Sequence, residues 1–114
     1  MPDRQPVKPM EAAFLAQVCK ALSHPARIRI LIHLLNREQS TCGDIVALLP
    51  LAQSTVSQHL NVLKAAGLVT GEAAGRETRY RADRALLARF GGFLRSMLGD
   101  GERRCRKDRQ PSPL

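Results

Sequence analysis

Apolar residues repeat every three or four positions along most of this sequence, which is the pattern of helices that bury one face. Phe14 and Val18 belong to the first such stretch. Between residues 68 and 81 the repeat gives way to two short runs separated by glycines, in which Thr78 and Tyr80 alternate with charged residues. This alternation predicts a two-stranded hairpin. The predicted helices are Met10–Leu22, Pro25–Leu35, a short helix from Thr41 to Pro50, Gln53–Gly67, and a last helix from Asp83 to Leu98.

Capping residues mark the boundaries between these elements. Ser23, His24 and Pro25 predict that one helix stops and the next begins, since proline fits the first turn of a helix. Thr41 and Asp44 have the spacing of a capping box. The predicted fold class is mostly α with a small β-wing, consisting of five helices and a two-stranded hairpin. On the second helix, the positions predicted to be buried are Ile28, Leu31, Ile32 and Leu35.

The composition limits the classes of protein that fit. The chain has 114 residues and a net charge of +8, so one basic domain is expected. No segment is long and apolar enough to span a bilayer, and the N-terminus has no signal core, so we expect a cytoplasmic protein without membrane contact. The positive charge favours a polyanionic partner such as nucleic acid. A charge that only solubilises the protein remains the alternative.

The predicted organisation has three parts. Residues 1–9 form a flexible N-terminal arm, residues 10–98 the folded domain, and residues 99–114 a basic tail that is expected to be disordered because it is rich in arginine and proline.

The fourth helix has an exposed face almost free of charge. If Val56, Leu60 and Leu63 are buried, Ser54, Gln58 and Asn61 lie on the opposite side of the helix. Hydroxyl and carboxamide groups bond phosphate oxygens and base edges, and a polar helix after a short helix and a tight turn is typical of a DNA-binding unit. A merely polar surface helix is the alternative. The predicted DNA contacts on this helix are Ser54, Thr55, Ser57, Gln58, His59, Asn61 and Lys64.

His59 and the hairpin arginines need separate treatment. His59 lies only about 60° from the buried side of the helix. Its ring is therefore at least as well suited to partial packing, with a hydrogen bond to backbone or phosphate, as to contact with a base. Arg76, Arg79 and Arg81 in the hairpin are predicted to contact phosphates or a minor groove beside the helix.

Two motifs at matching spacing carry a family resemblance. Residues 22–31 (LSHPARIRIL) and 53–69 (QSTVSQHLNVLKAAGLV), followed by the Gly-Arg wing, resemble the ArsR-type (ArsR/SmtB) winged helix-turn-helix repressors. The resemblance covers about residues 10–98. It implies a homodimer held by the first and last helices, a recognition helix over Ser54–His59, and repression relieved by an inducer. Many relatives have a capping serine where this chain has Ala52, so the helix is expected to be less well capped.

A dimer is also expected from the apolar residues themselves. Those on the first and last helices exceed what a small core can cover, and Gly91 and Gly92 permit close approach of a partner helix. Symmetric pairing would place two recognition helices about one DNA turn apart, which suits an inverted-repeat operator on double-stranded DNA. The residues assigned to the interface are Phe14, Leu15, Val18, Phe90, Phe93, Leu94 and Met97.

The three cysteines are Cys19, Cys42 and Cys105. The Cys-x-Cys-Asp motif of metal-sensing relatives is absent, since Thr41 and Gly43 stand in its cysteine positions, so cobalt, zinc or nickel sensing there is not expected. Thiolates remain candidates for binding As(III) or Sb(III), or for a redox signal. The alternative is three unrelated cysteines.

The sequence bears on two other classes of function. An enzyme is not expected, because the histidines are scattered and no phosphate loop or nucleophile motif is present. A winged-helix protein-interaction module without specific DNA binding is the alternative to a DNA-binding regulator.

Overall fold

The computed structural model describes residues 9–99, with five helices and three strands in one domain. The predictions of a flexible arm and a disordered tail concern segments that lie almost entirely outside the described residues. The helices are α1 Pro9–Ala21, α2 Pro25–Leu35, α3 Cys42–Val46, α4 Gln53–Ala65 and α5 Arg84–Leu98, and the strands are β1 Ser40–Thr41, β2 Val69–Ala74 and β3 Glu77–Ala82.

The predicted caps form. His24 precedes Pro25, and its Nδ1 accepts a hydrogen bond from the Ala26 amide at 3.1 Å, so the ring takes the role that a capping hydroxyl usually has. Thr41 and Asp44 make the reciprocal bonds of the capping box at 3.1 and 3.2 Å. These local bonds fix where α2 and α3 begin.

The third helix is shorter than predicted. It ends at Val46 because Leu48 and Leu49 donate to carbonyls only three residues back, at 3.0 and 3.3 Å. This tighter turn geometry is typical of a helix end, and Pro50 disfavours helical geometry in the residue before it.

The predicted two-stranded hairpin is confirmed, since β2 and β3 pair antiparallel, and a third short strand that the sequence did not predict extends it into a sheet. Strand β1 pairs antiparallel with β3, placing Ser40 opposite Tyr80, and the strand order is β1-β3-β2. A two-residue strand is too short to show an alternating pattern in the sequence. The hairpin turn is formed at Gly75, where φ is +66°, a value that favours glycine.

One hydrophobic core is formed by residues of the four helices α1, α2, α3 and α4 and of the start of β2. The prediction for α2 was wrong in part: Ile28 and Ile32 are 42% and 51% exposed, and the helix instead buries the row that begins at Ala26. Both rows are apolar, so spacing alone could not choose between them, and packing on α4 decides. The core residues are Val18, Ala21, Ile30, Leu31, Leu34, Ile45, Leu49, Val56, Leu60, Leu63, Leu68 and Val69.

The first helix contributes more to this core than expected. Leu15 and Val18, which the sequence assigned to a dimer interface, are buried within the protomer, with 9% and 0% of their surface exposed. Phe14 instead meets Phe93 of α5 edge to face, with 5.5 Å between the ring centroids. Among the described residues, no helix is long and apolar enough to cross a bilayer.

The N-terminus of α4 offers a test of this local structure. Ala52 has the extended backbone of a capping residue, at φ −69° and ψ 154°, and makes no side-chain cap bond. Ala52→Ser should therefore raise the free energy of unfolding by about 1 kcal/mol in a urea titration. Ala65→Ser, an exposed change within the same helix, should bring no gain, because serine forms helices less well than alanine. Equal effects of the two changes would contradict the capping argument.

Candidate nucleic-acid interface

The core holds α4 with one face inward. Val56, Leu60 and Leu63 expose none of their surface, and they recur at helical spacing along the inner side. The short helix α3 packs on this helix, and residues 47–52 join the two, which completes a helix-turn-helix.

The outer face of α4 carries the predicted polar row. Ser54, Gln58, Asn61 and Lys64 are exposed, and Thr55 is half-buried at the edge of the row. The predicted orientation is therefore confirmed, whereas the contacts of these side chains with DNA stay predictions. Hydroxyl and carboxamide groups on a convex helix face suit hydrogen bonding to phosphates and base edges.

Ser57 lies at the joint between the two helices of the motif. It is half-buried, and its Oγ is 3.7 Å from Sγ of Cys42, the first residue of α3. The hydroxyl thus contacts the neighbouring helix in addition to flanking the polar row.

His59 does not lie on the outer face with the row. Only 8% of its surface is exposed, and its Nδ1 accepts a hydrogen bond from Arg27 Nε at 3.2 Å. The ring also lies against His24, with 4.6 Å between centroids. Burial, followed by the nearby charges of His24 and Arg27, lowers the pKa of His59 from its ordinary value. The geometry fits the packed interpretation of this histidine, and the sequence did not identify Arg27 as its partner.

The three hairpin arginines lie on different surfaces. Arg76 at the turn lines a cavity of about 350 Å³ together with Gln53 at the start of α4 and Tyr80. Along β3, Tyr80 is half-buried against the core, whereas Arg79 and Arg81 point to the other face of the sheet. The structure therefore brings Arg76 to the start of α4 and directs Arg79 and Arg81 away from it.

The outer face of the sheet has mixed charge. Arg79 lies opposite Glu72 in the register of β2 and β3, and it lines a cavity with Asp44 and Glu77. Arg81 lines a separate cavity of about 440 Å³, which the carboxylates of Glu38 and Asp83 also line. Alternation along one strand does not reveal the acidic residues that neighbouring elements bring to this face.

A polar chain that the sequence did not reveal anchors α3. His33 Nε2 lies 3.0 Å from the hydroxyl of Ser40, which is buried and lies 3.5 Å from Asp44 Oδ2. The hydrogen bond from the Thr41 amide lowers the pKa of Asp44 most, and the hydrogen bond with the Thr41 hydroxyl lowers it further. The carboxylate of Asp44 therefore stays charged as a cap. Burial, and then the charge of Arg37, lowers the pKa of His33.

The cysteine prediction gains no support from the geometry. Cys19 is exposed on α1, Cys42 is half-buried on α3, and Cys105 lies outside the described residues. Within residues 9–99, no group of three or more His, Cys, Asp or Glu side chains is placed to hold a metal ion. Binding of As(III) or Sb(III), or a redox signal at these thiols, stays a prediction.

These elements define a winged helix-turn-helix domain of the DNA-binding class. The profile described as "Bacterial regulatory protein, arsR family" matches residues 24–70, and the chain belongs to this family.

Relatives with curated names are transcriptional regulators. The chain is 48% identical over 66 residues to the HTH-type transcriptional repressor SmtB of Mycobacterium tuberculosis, a match that covers 57% of this chain and 47% of that protein. The chain thus spans about half the length of this relative. It is 36% identical over 107 residues to the HTH-type transcriptional regulator CmtR of Mycobacterium bovis, covering 90% of this chain and 88% of that protein.

Solved structures show the same architecture. An ArsR-like transcriptional regulator from Rhodococcus sp. RHA1 superposes with a TM-score of 0.73 at 34% sequence identity, covering 87% of this chain and 92% of that one. The prediction of a winged helix-turn-helix of the ArsR family is therefore confirmed.

The unequal placement of the arginines can be tested on duplex DNA of random sequence. Arg76→Gln should weaken binding and reduce the slope of log affinity against log salt by about 0.9, because one phosphate contact is lost. Arg81→Gln removes the same charge from the other sheet face and should change the slope little. Equal losses for the two variants in a fluorescence-anisotropy salt series would contradict this assignment.

Proposed function

We propose that this protein is a transcriptional repressor that binds an inverted-repeat operator on double-stranded DNA as a homodimer and is released by an inducer. The observation that carries the proposal is the exposed, nearly uncharged row of Ser54, Gln58 and Asn61 on α4. Carboxamides can pair with adenine through two hydrogen bonds, which gives the row the chemistry of sequence readout.

The distribution of charge supports binding to DNA instead of to an acidic protein. The chain carries a net charge of +8, which supplies non-specific attraction to phosphates, while the row itself is nearly neutral and suited to base edges. A surface for acidic protein partners needs no such uncharged row. The protein-interaction alternative is therefore less well supported.

The surface formed by α1 and α5 supports the homodimer. Helix α5 has one markedly apolar side, yet none of its residues is buried within the protomer. Met10 on α1 is 80% exposed, and Leu94, Met97 and Leu98 on α5 are 41%, 44% and 53% exposed. A second copy that packs on α1 and α5 would cover these side chains.

The glycines of α5 add to this argument. A Cβ added at Gly91 or Gly92 would meet nothing within 4 Å in the protomer, so their small size has no explanation in the core. Glycine inside a helix costs about 1 kcal/mol relative to alanine. Close approach of a partner helix is a reason to tolerate that cost. The corrected interface assignment omits Leu15 and Val18 and contains Met10, Phe14, Phe90, Phe93, Leu94, Met97 and Leu98.

Selection from a random duplex library tests the proposal directly. The bound sequences should converge on an inverted repeat whose half-sites are centred about 10 base pairs apart, because symmetric copies place their α4 helices one DNA turn apart. Affinity for the selected duplex should exceed that for a scrambled duplex by about a thousandfold. If the selection enriches no common sequence, and the recovered DNA binds no more tightly than scrambled DNA, the protein-interaction module is favoured.

Gln58 is the strongest candidate for base readout. Gln58→Ala should relax the sequence preference at one position of each half-site, at a cost of about 1–3 kcal/mol for the preferred base, because a two-bond contact is lost. Repeating the selection with this variant measures that change. Gln17→Ala, which removes an exposed glutamine from α1, should leave the selected sequence unchanged. An unaltered preference in the Gln58 variant would remove this residue from the readout surface.

A further inference from the structure

Arg27 joins three helices at one point. Its Nε donates to His59 Nδ1 on the inner side of α4 at 3.2 Å. Its Nη1 lies 3.4 Å from the carbonyl oxygen of Ala21 and 3.5 Å from that of Lys20, at the end of α1. The side chain itself comes from the first turn of α2. The guanidinium therefore ties the buried face of α4 to the junction between α1 and α2.

This hydrogen bond differs in kind from the apolar contacts that hold the inner face of α4. The inner face of the helix is otherwise held by apolar side chains such as Val56 and Leu60, whose burial is non-directional. A hydrogen bond to a charged donor is directional and is lost when the angle or distance changes. The Arg27–His59 bond can thus fix the angle at which α4 presents its outer row.

The bond also requires one protonation state. His59 Nδ1 is the acceptor, so in this arrangement its ring carries a proton on Nε2 only and is neutral. His24, whose ring lies against His59, accepts a hydrogen bond from the Ala26 amide at Nδ1. A proton on Nδ1 of His59 would face the N–H of Arg27 and would place a second cation in a buried site.

The charged and titratable groups that face His59 all act in one direction. Arg27 and His24 approach from α2 and its cap, and α1 contributes the backbone carbonyls that hold Arg27. Within residues 9–99, the charges that act on His59 are those of His24 and Arg27, both basic groups that oppose its protonation. The lowered pKa of His59 agrees with this geometry.

We propose that neutral His59 is a positioning residue that sets the orientation of the recognition helix through Arg27, and that protonation of His59 weakens operator binding. This inference rests on the proposed function, since it concerns how α4 meets its operator. The direction of the pH dependence distinguishes this positioning role from direct phosphate contact by His59. A protonated histidine on a phosphate would strengthen operator binding as the pH falls.

The test measures affinity for the selected duplex between pH 5.5 and 8.0 in the full-length protein. His59→Leu should lower affinity at pH 7.5 by about tenfold, because Arg27 loses its acceptor in a partly buried site. His59→Asn should recover most of that loss, since its Oδ1 replaces Nδ1, and should remove the part of the pH dependence that His59 contributes. Any slope that remains in this variant comes from groups other than His59.

Arg27 provides the second half of the test. Arg27→Gln should lower affinity at least as much as His59→Leu, since it also removes the contacts with the carbonyls of α1. The double variant should lose no more than Arg27→Gln alone, because the bond to His59 is already broken. Arg29→Gln, an exposed change of equal charge on the same helix, should have a much smaller effect. Additive losses, or equal effects of Arg27→Gln and Arg29→Gln, would overturn the proposal.

Two measurements on the free protein separate positioning from stability. Urea titration reports whether each variant is folded where binding is measured, and a role in stability alone would leave the affinity of the folded fraction unchanged. Nitrogen chemical shifts of the imidazole should show the Nε2–H form of His59 at pH 7.5 and loss of the protected Arg27 Nε–H signal as the ring protonates. An Nδ1–H form would overturn the proposal.

The outcomes of these experiments also distinguish failure of this inference from failure of the proposed function. If the wild-type protein binds no selected duplex, the repressor assignment fails, and the imidazole measurement still decides whether the pair exists. If the protein binds but the affinity of His59→Leu matches that of the wild type, the positioning role fails while the repressor assignment stands. The same holds if the part of the pH dependence that His59 contributes strengthens binding as the pH falls.

Discussion

The burial of three aliphatic side chains on one side of α4 is the constraint on which the interface depends. Val56, Leu60 and Leu63 are fully enclosed, so rotating the helix would expose at least one of them at a cost of about 1.5–3 kcal/mol per side chain. Their spacing leaves only one direction for Ser54 and Gln58, which is outward. The chemistry of the exposed row is therefore a consequence of the core, and it needs no contact of its own to be held in place.

Local signals in the sequence predicted where the helices begin better than where α3 ends, because caps act within four residues. The capping box at Thr41 and the stop before Pro25 depend only on neighbouring atoms, so spacing was sufficient to find them. The apolar pattern of α4 was equally informative, since its other face is polar. The predicted row of hydroxyl and carboxamide side chains is exposed for the same reason.

The features that sequence reasoning missed all depend on tertiary contacts. Helix α2 is apolar on two sides, so its buried face is chosen by packing against α4, and Ile28 and Ile32 remain outside. Strand β1 exists because two residues pair with β3, which no alternating pattern can show. Alternation indicated that Arg79 and Arg81 are exposed, but which sheet face turns toward α4 depends on how the hairpin joins the core.

Arg27 connects the proposed dimer surface with the recognition helix, and Ile28 and Ile32 lie beside it on α2. They are exposed apolar residues on α2, next to the arginine that bonds α4, whereas the proposed dimer surface lies on α1 and α5. Arg27 contacts the last carbonyls of α1, the helix that also meets α5 through Phe14 and Phe93. A shift of α1 within the proposed dimer would therefore move the group that holds His59. The same bond would then link the packing of the two copies to the orientation of each recognition helix, which is the kind of connection that release by an inducer requires.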